Sequence, residues 1–185
     1  MDNLKFIRDT MERSTSFTAV PGWGTVATGL LAFLGAFAAQ LAASAHVWFG
    51  VWMATAVLGF LCGAGSMLIK ANRVGEPIFS GPGRRFALGM APTILAAAVL
   101  TAVLFHEGYY LLMPPMWLLL YGAAVVTGGA FSVRIVPAMG IAFMVVGAIA
   151  FLLPSNLLMG SIAMAAGFGG LHVVFGLIIA RKHGG

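Results

Sequence analysis

The sequence predicts an all-α polytopic membrane protein: a bundle of six transmembrane helices in three hairpins, preceded by a short amphipathic helix. Three observations carry this. First, of 185 residues 61% are hydrophobic and 8% charged, with a mean hydropathy of +1.00, against roughly 25% charged and 45–50% apolar in an average soluble domain. Second, the apolar residues fall in runs close to the ~20 residues that cross a ~30 Å hydrocarbon core. Third, when the ends of those runs are assigned to alternating sides, all ten Lys and Arg residues fall on one side.

Residues 1–23 form the N-terminal unit, a helix and a linker. Over 2–14, Leu4, Ile7 and Met11 share a face, and Lys5/Asp9, Arg8/Glu12 and Asp9/Arg13 are oppositely charged pairs four apart. This spacing predicts a helix lying on the cytoplasmic membrane surface. The linker ends in Pro21-Gly22-Trp23-Gly24, a turn followed by an interfacial tryptophan.

Residues 24–185 form the transmembrane unit, with spans at about 25–44, 47–69, 86–105, 114–131, 136–153 and 157–180. The first ends in Ala43-Ser44-Ala45, a small-x-small pattern, but its apolar run is too long for a signal peptide and its leader carries acids as well as bases. The second contains Gly59 and Gly63 four apart, a close-packing pattern in lipid. Between 70 and 85 a loop rich in Gly and Pro ends in Gly81-Pro82-Gly83-Arg84-Arg85, where Arg84 and Arg85 suit an anionic lipid headgroup or a phosphate. The GK[ST] ending of a nucleotide-binding loop is missing there. Pro114-Pro115 opens the fourth span and Pro154 stops the fifth.

The cationic side holds Lys5, Arg8, Arg13, Lys70, Arg73, Arg84, Arg85, Arg134, Arg181 and Lys182. The positive-inside rule then places both termini in the cytoplasm and the chain in the plasma membrane, the inner membrane of a bacterium. The other side carries His46, His106 and Glu107 within an aromatic belt of Trp48, Trp52, Tyr109, Tyr110 and Trp117. No basic stripe interleaved with aromatics is present, so nucleic acid is not an expected partner. Cys62 is the single cysteine and excludes an intrachain disulfide.

Function is less legible. The last span places Gly169, His172 and Gly176 on one face, and an ionisable group at that depth faces a bundle interior rather than lipid. Counted from span midpoints, Cys62, Thr93, Thr127 and His172 share a level toward the cytoplasm, while Gln40, Thr101 and Tyr121 lie toward the outside. Such a layer is either a ligand or solute site or a set of hydrogen bonds that serve packing. His46, His106 and Glu107 have the chemistry of a metal site, though nothing in their spacing brings them together. Gly122 and Gly129, Gly140 and Gly147, and Gly169 and Gly176 are pairs seven apart that let helices approach.

There is no H-E-x-x-H, no G-x-S-x-G and no pair of intramembrane carboxylates, and no cofactor is expected. The sequence therefore points first to a non-enzymatic membrane module that binds a partner protein, lipid or a small apolar ligand, the expected partners being membrane lipid and a second protein or further copies in a homo-oligomer. Two alternatives are a small-solute or ion transporter or channel built around His172, and a metal-dependent membrane enzyme using His46, His106 and Glu107.

Overall fold

The computed structural model describes residues 17–75, 79, 81–154 and 156–183. The amphipathic helix expected over 2–14 lies outside the described residues. The described chain is all-α, with helices α1 (Gly22–Gln40), α2 (Ala45–Val74), α3 (Gly81–His106), α4 (Met113–Gly129), α5 (Ile135–Leu152) and α6 (Leu157–His183). All six are long and apolar enough to cross a membrane, α4 together with the 3-10 turn Tyr110–Leu112 that leads into it. Among the described residues the one β contact is an isolated bridge between Phe17 and Ser132.

Local chemistry sets the helix ends. Ser44 caps α2 by accepting from the Val47 N–H, and Asn156 caps α6 by accepting from the Met159 N–H. Gly75, at φ 71°, ends α2 in the left-handed conformation that a side chain disfavours. The Gly81-Pro82-Gly83 stretch expected in a loop is instead the first turn of α3, where proline's missing N–H has no helical partner to lose. Likewise α2 runs on through Lys70 to Val74.

The helices form two groups of three. In one, α2 and α6 flank α1; in the other, α3 and α5 flank α4; α6 joins the groups by lying against α4 and α5. The first two expected hairpins are packed pairs, whereas α6 leaves its neighbour α5 to lie mainly on α1. Small residues make these approaches possible. A Cβ on Gly122 would lie 2.6 Å from the Gly140 carbonyl, and one on Gly29 2.7 Å from that of Gly169. The outside of the bundle is apolar, with Phe60, Leu61, Leu95 and Val99 all exposed. Lipid solvates such a surface, and helices satisfy their own backbone groups within it.

The buried residues form two clusters. One gathers Trp48, Trp52, Trp117, Leu118 and Phe143 and extends toward the end that carries His46 and His106. The second lies at the opposite, basic end and is built around the segment before α1: Phe17, Ala19 and Val20 pack with Ala71, Phe86, Val125, Val136 and Ile179. Residues expected as a plain linker thus form part of the core.

Candidate functional site

The centre of the bundle holds one polar pair in an aromatic enclosure. The middle of α6, Ala165–Leu171, is wound as a π-helix, a wider turn often found where function constrains a helix. Its glycines let neighbouring helices come close: a Cβ on Gly167 would collide with Leu118, and one on Gly169 would lie 2.7 Å from the Phe33 ring. At the end of this segment the backbone N–H of His172 reaches the Gly169 carbonyl. The carbonyl of Phe168, the ordinary partner of that N–H in an α-helix, instead receives the imidazole Nδ1 at 2.8 Å.

A carbonyl only accepts, so Nδ1 carries the proton. In the neutral ring Nε2 is then an acceptor, and the Tyr121 hydroxyl of α4 donates to it across 2.8 Å. Both nitrogens are committed. The imidazole is 4% exposed and stacks on Phe168, with Phe143 and Tyr121 edge-on or tilted, ring centroids 5.1 to 5.9 Å away. Tyr121, Phe143 and Phe168 also touch one another. The result is a buried polar contact that ties α4 to α6 within the aromatic enclosure.

The tryptophans expected in a surface belt are interior instead. Trp48, 1% exposed, donates from Nε1 to the Ser161 hydroxyl of α6 at 2.8 Å and stacks on Trp117, its ring 5° from parallel. Trp117 donates to Thr101 of α3 at 2.8 Å, and the Thr101 hydroxyl donates in turn to the Ala97 carbonyl of its own helix. Hydroxyls on neighbouring helices thus satisfy these indoles where headgroup water would have done so at a surface. Trp52, 2% exposed, is the exception, because its Nε1 is buried with no acceptor. Tyr109 is exposed, in keeping with an interfacial position.

The residues expected to share a level with His172 are held elsewhere. Thr127 donates to the Gly89 carbonyl of α3 and to its own helix, Thr93 is half-buried on α3, and the Cys62 thiol faces the Gly24 carbonyl of α1 at 3.9 Å. Depth counted from span midpoints misses the Tyr121–His172 pair, because the length of the tyrosine side chain and the π-segment both shift the level at which polar atoms meet. At the far end the His46 ring packs against Phe105 and Tyr110. Among the described residues no group of three or more His, Cys, Asp or Glu side chains could hold a metal ion, so His46, His106 and Glu107 do not make one.

Arg84, exposed, and Arg85, half-buried, occupy the first turn of α3. Gly140 meets Gly122 and Val126, Gly147 meets Leu119, Gly129 meets Pro137 and Gly176 meets Val26, in each case with helix backbone or a stiff ring within 3.0 Å of an added Cβ. Gly59 and Gly63 are looser, facing Thr28 at 3.4 and 3.7 Å.

Sequence reasoning missed Lys70, which it placed among the orienting charges. Its ammonium is buried and donates to the carbonyls of Val20, at 3.0 Å, and His183, at 2.8 Å. It thereby joins the segment before α1 to the last turn of α6, where cations are favoured by the exposed carbonyls.

Compared with protein-family models, with curated proteins and with solved structures, the chain matches none. The class is therefore defined by the fold alone: an all-α bundle of six membrane-length helices closed around an aromatic core.

Proposed function

We propose that this chain is a non-enzymatic integral membrane module whose outer surface binds a partner protein, lipid or small apolar ligand. One observation carries the reading: among the described residues most interior polar side chains, Trp52 excepted, are bonded within the bundle, while α2 and α3 turn long apolar faces outward. His172 has both nitrogens occupied, and Trp48, Trp117, Thr101 and Thr127 are bonded to neighbouring helices or their own. These groups are engaged within the bundle, whereas Val57, Leu58, Phe60 and Leu61 on α2 and Leu95, Val99 and Val103 on α3 are open to contact. Purification in mild detergent followed by native mass spectrometry tests the idea. The reading expects a stoichiometric protein or lipid to be retained; a lipid-free monomer without companion would overturn it.

The charge asymmetry supports a plasma-membrane location with both termini in the cytoplasm. Reporter tags inserted beside Arg134 and beside Glu107 should then report opposite compartments. A second reading, passage of a small solute or ion along the bundle axis, is favoured by the central position of the Tyr121–His172 pair, since ionisable groups at such depth mark many solute and proton paths.

A further inference from the structure

The segment Phe17–Val20 crosses the basic end of the bundle as a strap. Phe17 is 1% exposed and its ring lies 5.2 Å from that of Phe86 on α3. Its N–H donates to the Phe131 carbonyl at 2.8 Å, and its carbonyl accepts from the Ser132 hydroxyl at 2.6 Å, both between α4 and α5. Three residues on, the Val20 carbonyl accepts from Lys70 of α2. The strap therefore touches both three-helix groups at once.

At this end the chain between Val74 and Gly81 also links the two groups. The helices α2 and α3 do not pack along their lengths; their rings meet at the opposite end, where Phe49 and Phe105 are 4.6 Å apart. The last turns of α6 lie on α1 and make only slight contact with α5. The strap side chains fill the space that remains. They share a cluster with Val125 and Ile179, and Tyr121 packs against both this cluster and the aromatic cluster. The seat of Phe17 is thus connected through packed side chains to the Tyr121–His172 pair.

We propose that the strap is a gate. Seated, it closes the basic end and keeps water from the central polar pair. Lifted, it uncovers Val125 and Ile179 at that end, and water and small polar solutes reach Tyr121. The attachments suit a reversible latch, since an aromatic plug and hydrogen bonds at the ends of helices are among them.

A thiol placed under the strap reads its position. Val125, buried one turn from Tyr121 on the strap side, is replaced by cysteine in a Cys62→Ala background, and its rate of modification by a membrane-impermeant maleimide is measured in detergent and in vesicles. Because a sparsely populated open state gains in proportion to what its closed competitor loses, Phe17→Ala should raise the rate by about tenfold or more. Ser132→Ala, which removes one bond to the strap and leaves the plug in place, should raise it by less. Gly147→Ala, which crowds Leu119 at the α4–α5 contact on the far side of Tyr121 from the strap, should leave it near the parent value. Equal rates for the parent and both strap variants would overturn the gate. A rise with Gly147→Ala as large as that with Phe17→Ala would overturn it as well, since the thiol would then report general loosening. If Phe17→Ala loses its helical circular dichroism, Ser132→Ala decides alone.

Discussion

The Tyr121 hydroxyl and His172 Nε2 lie 2.8 Å apart and join α4 to α6 through the middle of the bundle. Removing one partner leaves the other buried without its bond, whereas removing both leaves two aromatic rings in an aromatic enclosure. Tyr121→Phe and His172→Phe should therefore each destabilise the fold, and the double variant should cost less than their sum. The coupling should fall between about 0.6 kcal/mol, the average for hydrogen bonds between membrane helices, and the ~1.7 kcal/mol upper end of such measurements. A double-mutant cycle read by unfolding in mixed detergent checks this, and additive losses would remove the bond from the account.

The tryptophan layer offers a contrast within one cluster. Ser161→Ala deprives the Trp48 indole of its acceptor and should cost about 1 to 3 kcal/mol, the desolvation penalty of an orphaned donor. Trp52 already carries an orphaned N–H. Trp52→Phe discards that donor and loses some ring area, so it should cost clearly less than a tryptophan truncated to alanine, for which about 3 to 5 kcal/mol is usual. Thermal unfolding in detergent distinguishes the two.

Glycine substitutions should separate tight from loose interfaces. At Gly140 an added methyl meets the Gly122 carbonyl and the Val126 N–H at 2.7 Å, and backbone cannot step aside as a flexible side chain can. Gly140→Ala should destabilise by about 1 to 3 kcal/mol through overpacking. At Gly65 there is open space, so Gly65→Ala should be neutral or stabilise by up to about 1 kcal/mol, the helix propensity difference. Melting temperatures of the two variants in the same detergent should move in opposite directions or, at least, only the first should fall.

These contrasts mark how far the sequence could be read. Six runs of apolar residues separated by Pro, Gly and charge were enough to place the helices, because length and hydropathy are local properties. Helix ends were less legible: Gly81-Pro82-Gly83 has the composition of a loop, yet it starts α3, since a helix's first turn tolerates proline. Partners across the bundle were not legible. Trp48 and Trp117 carry the signature of an interfacial belt, and only the positions of Ser161 and Thr101 on other helices turn them inward. His172 stood out as an ionisable group in an apolar run, but nothing in the chain named Tyr121 as its donor. The apolar Phe17 and Val20 were the signal that the linker is buried, and a stretch of so few residues has no periodicity to announce it.

Lys70 provides the sharpest test of the basic end. Its charge reads as one orienting cation among ten, whereas its ammonium is 7% exposed and bonded to carbonyls of two separate segments. Lys70→Met keeps the aliphatic stem and removes the donors. The Val20 and His183 carbonyls then lose a charged partner, and the C-terminal end of α6 loses a cation that its dipole favours. Hydrogen bonds to charged groups are each worth about 1.5 to 3 kcal/mol, and part of that is offset by the desolvation the ammonium no longer suffers. A net loss of about 2 kcal/mol is expected, with faster proteolysis at Phe17–Val20 as the strap loses an anchor. Lys70→Arg should rescue only in part, since a planar fork in this tight seat cannot place its donors where a compact ammonium does. Lys182→Met, at an exposed position of the same sign, should stay within about 0.5 kcal/mol of the parent. Unfolding midpoints and limited proteolysis on the same four proteins decide the matter: equal effects at Lys70 and Lys182 would reduce Lys70 to a charge at the membrane surface.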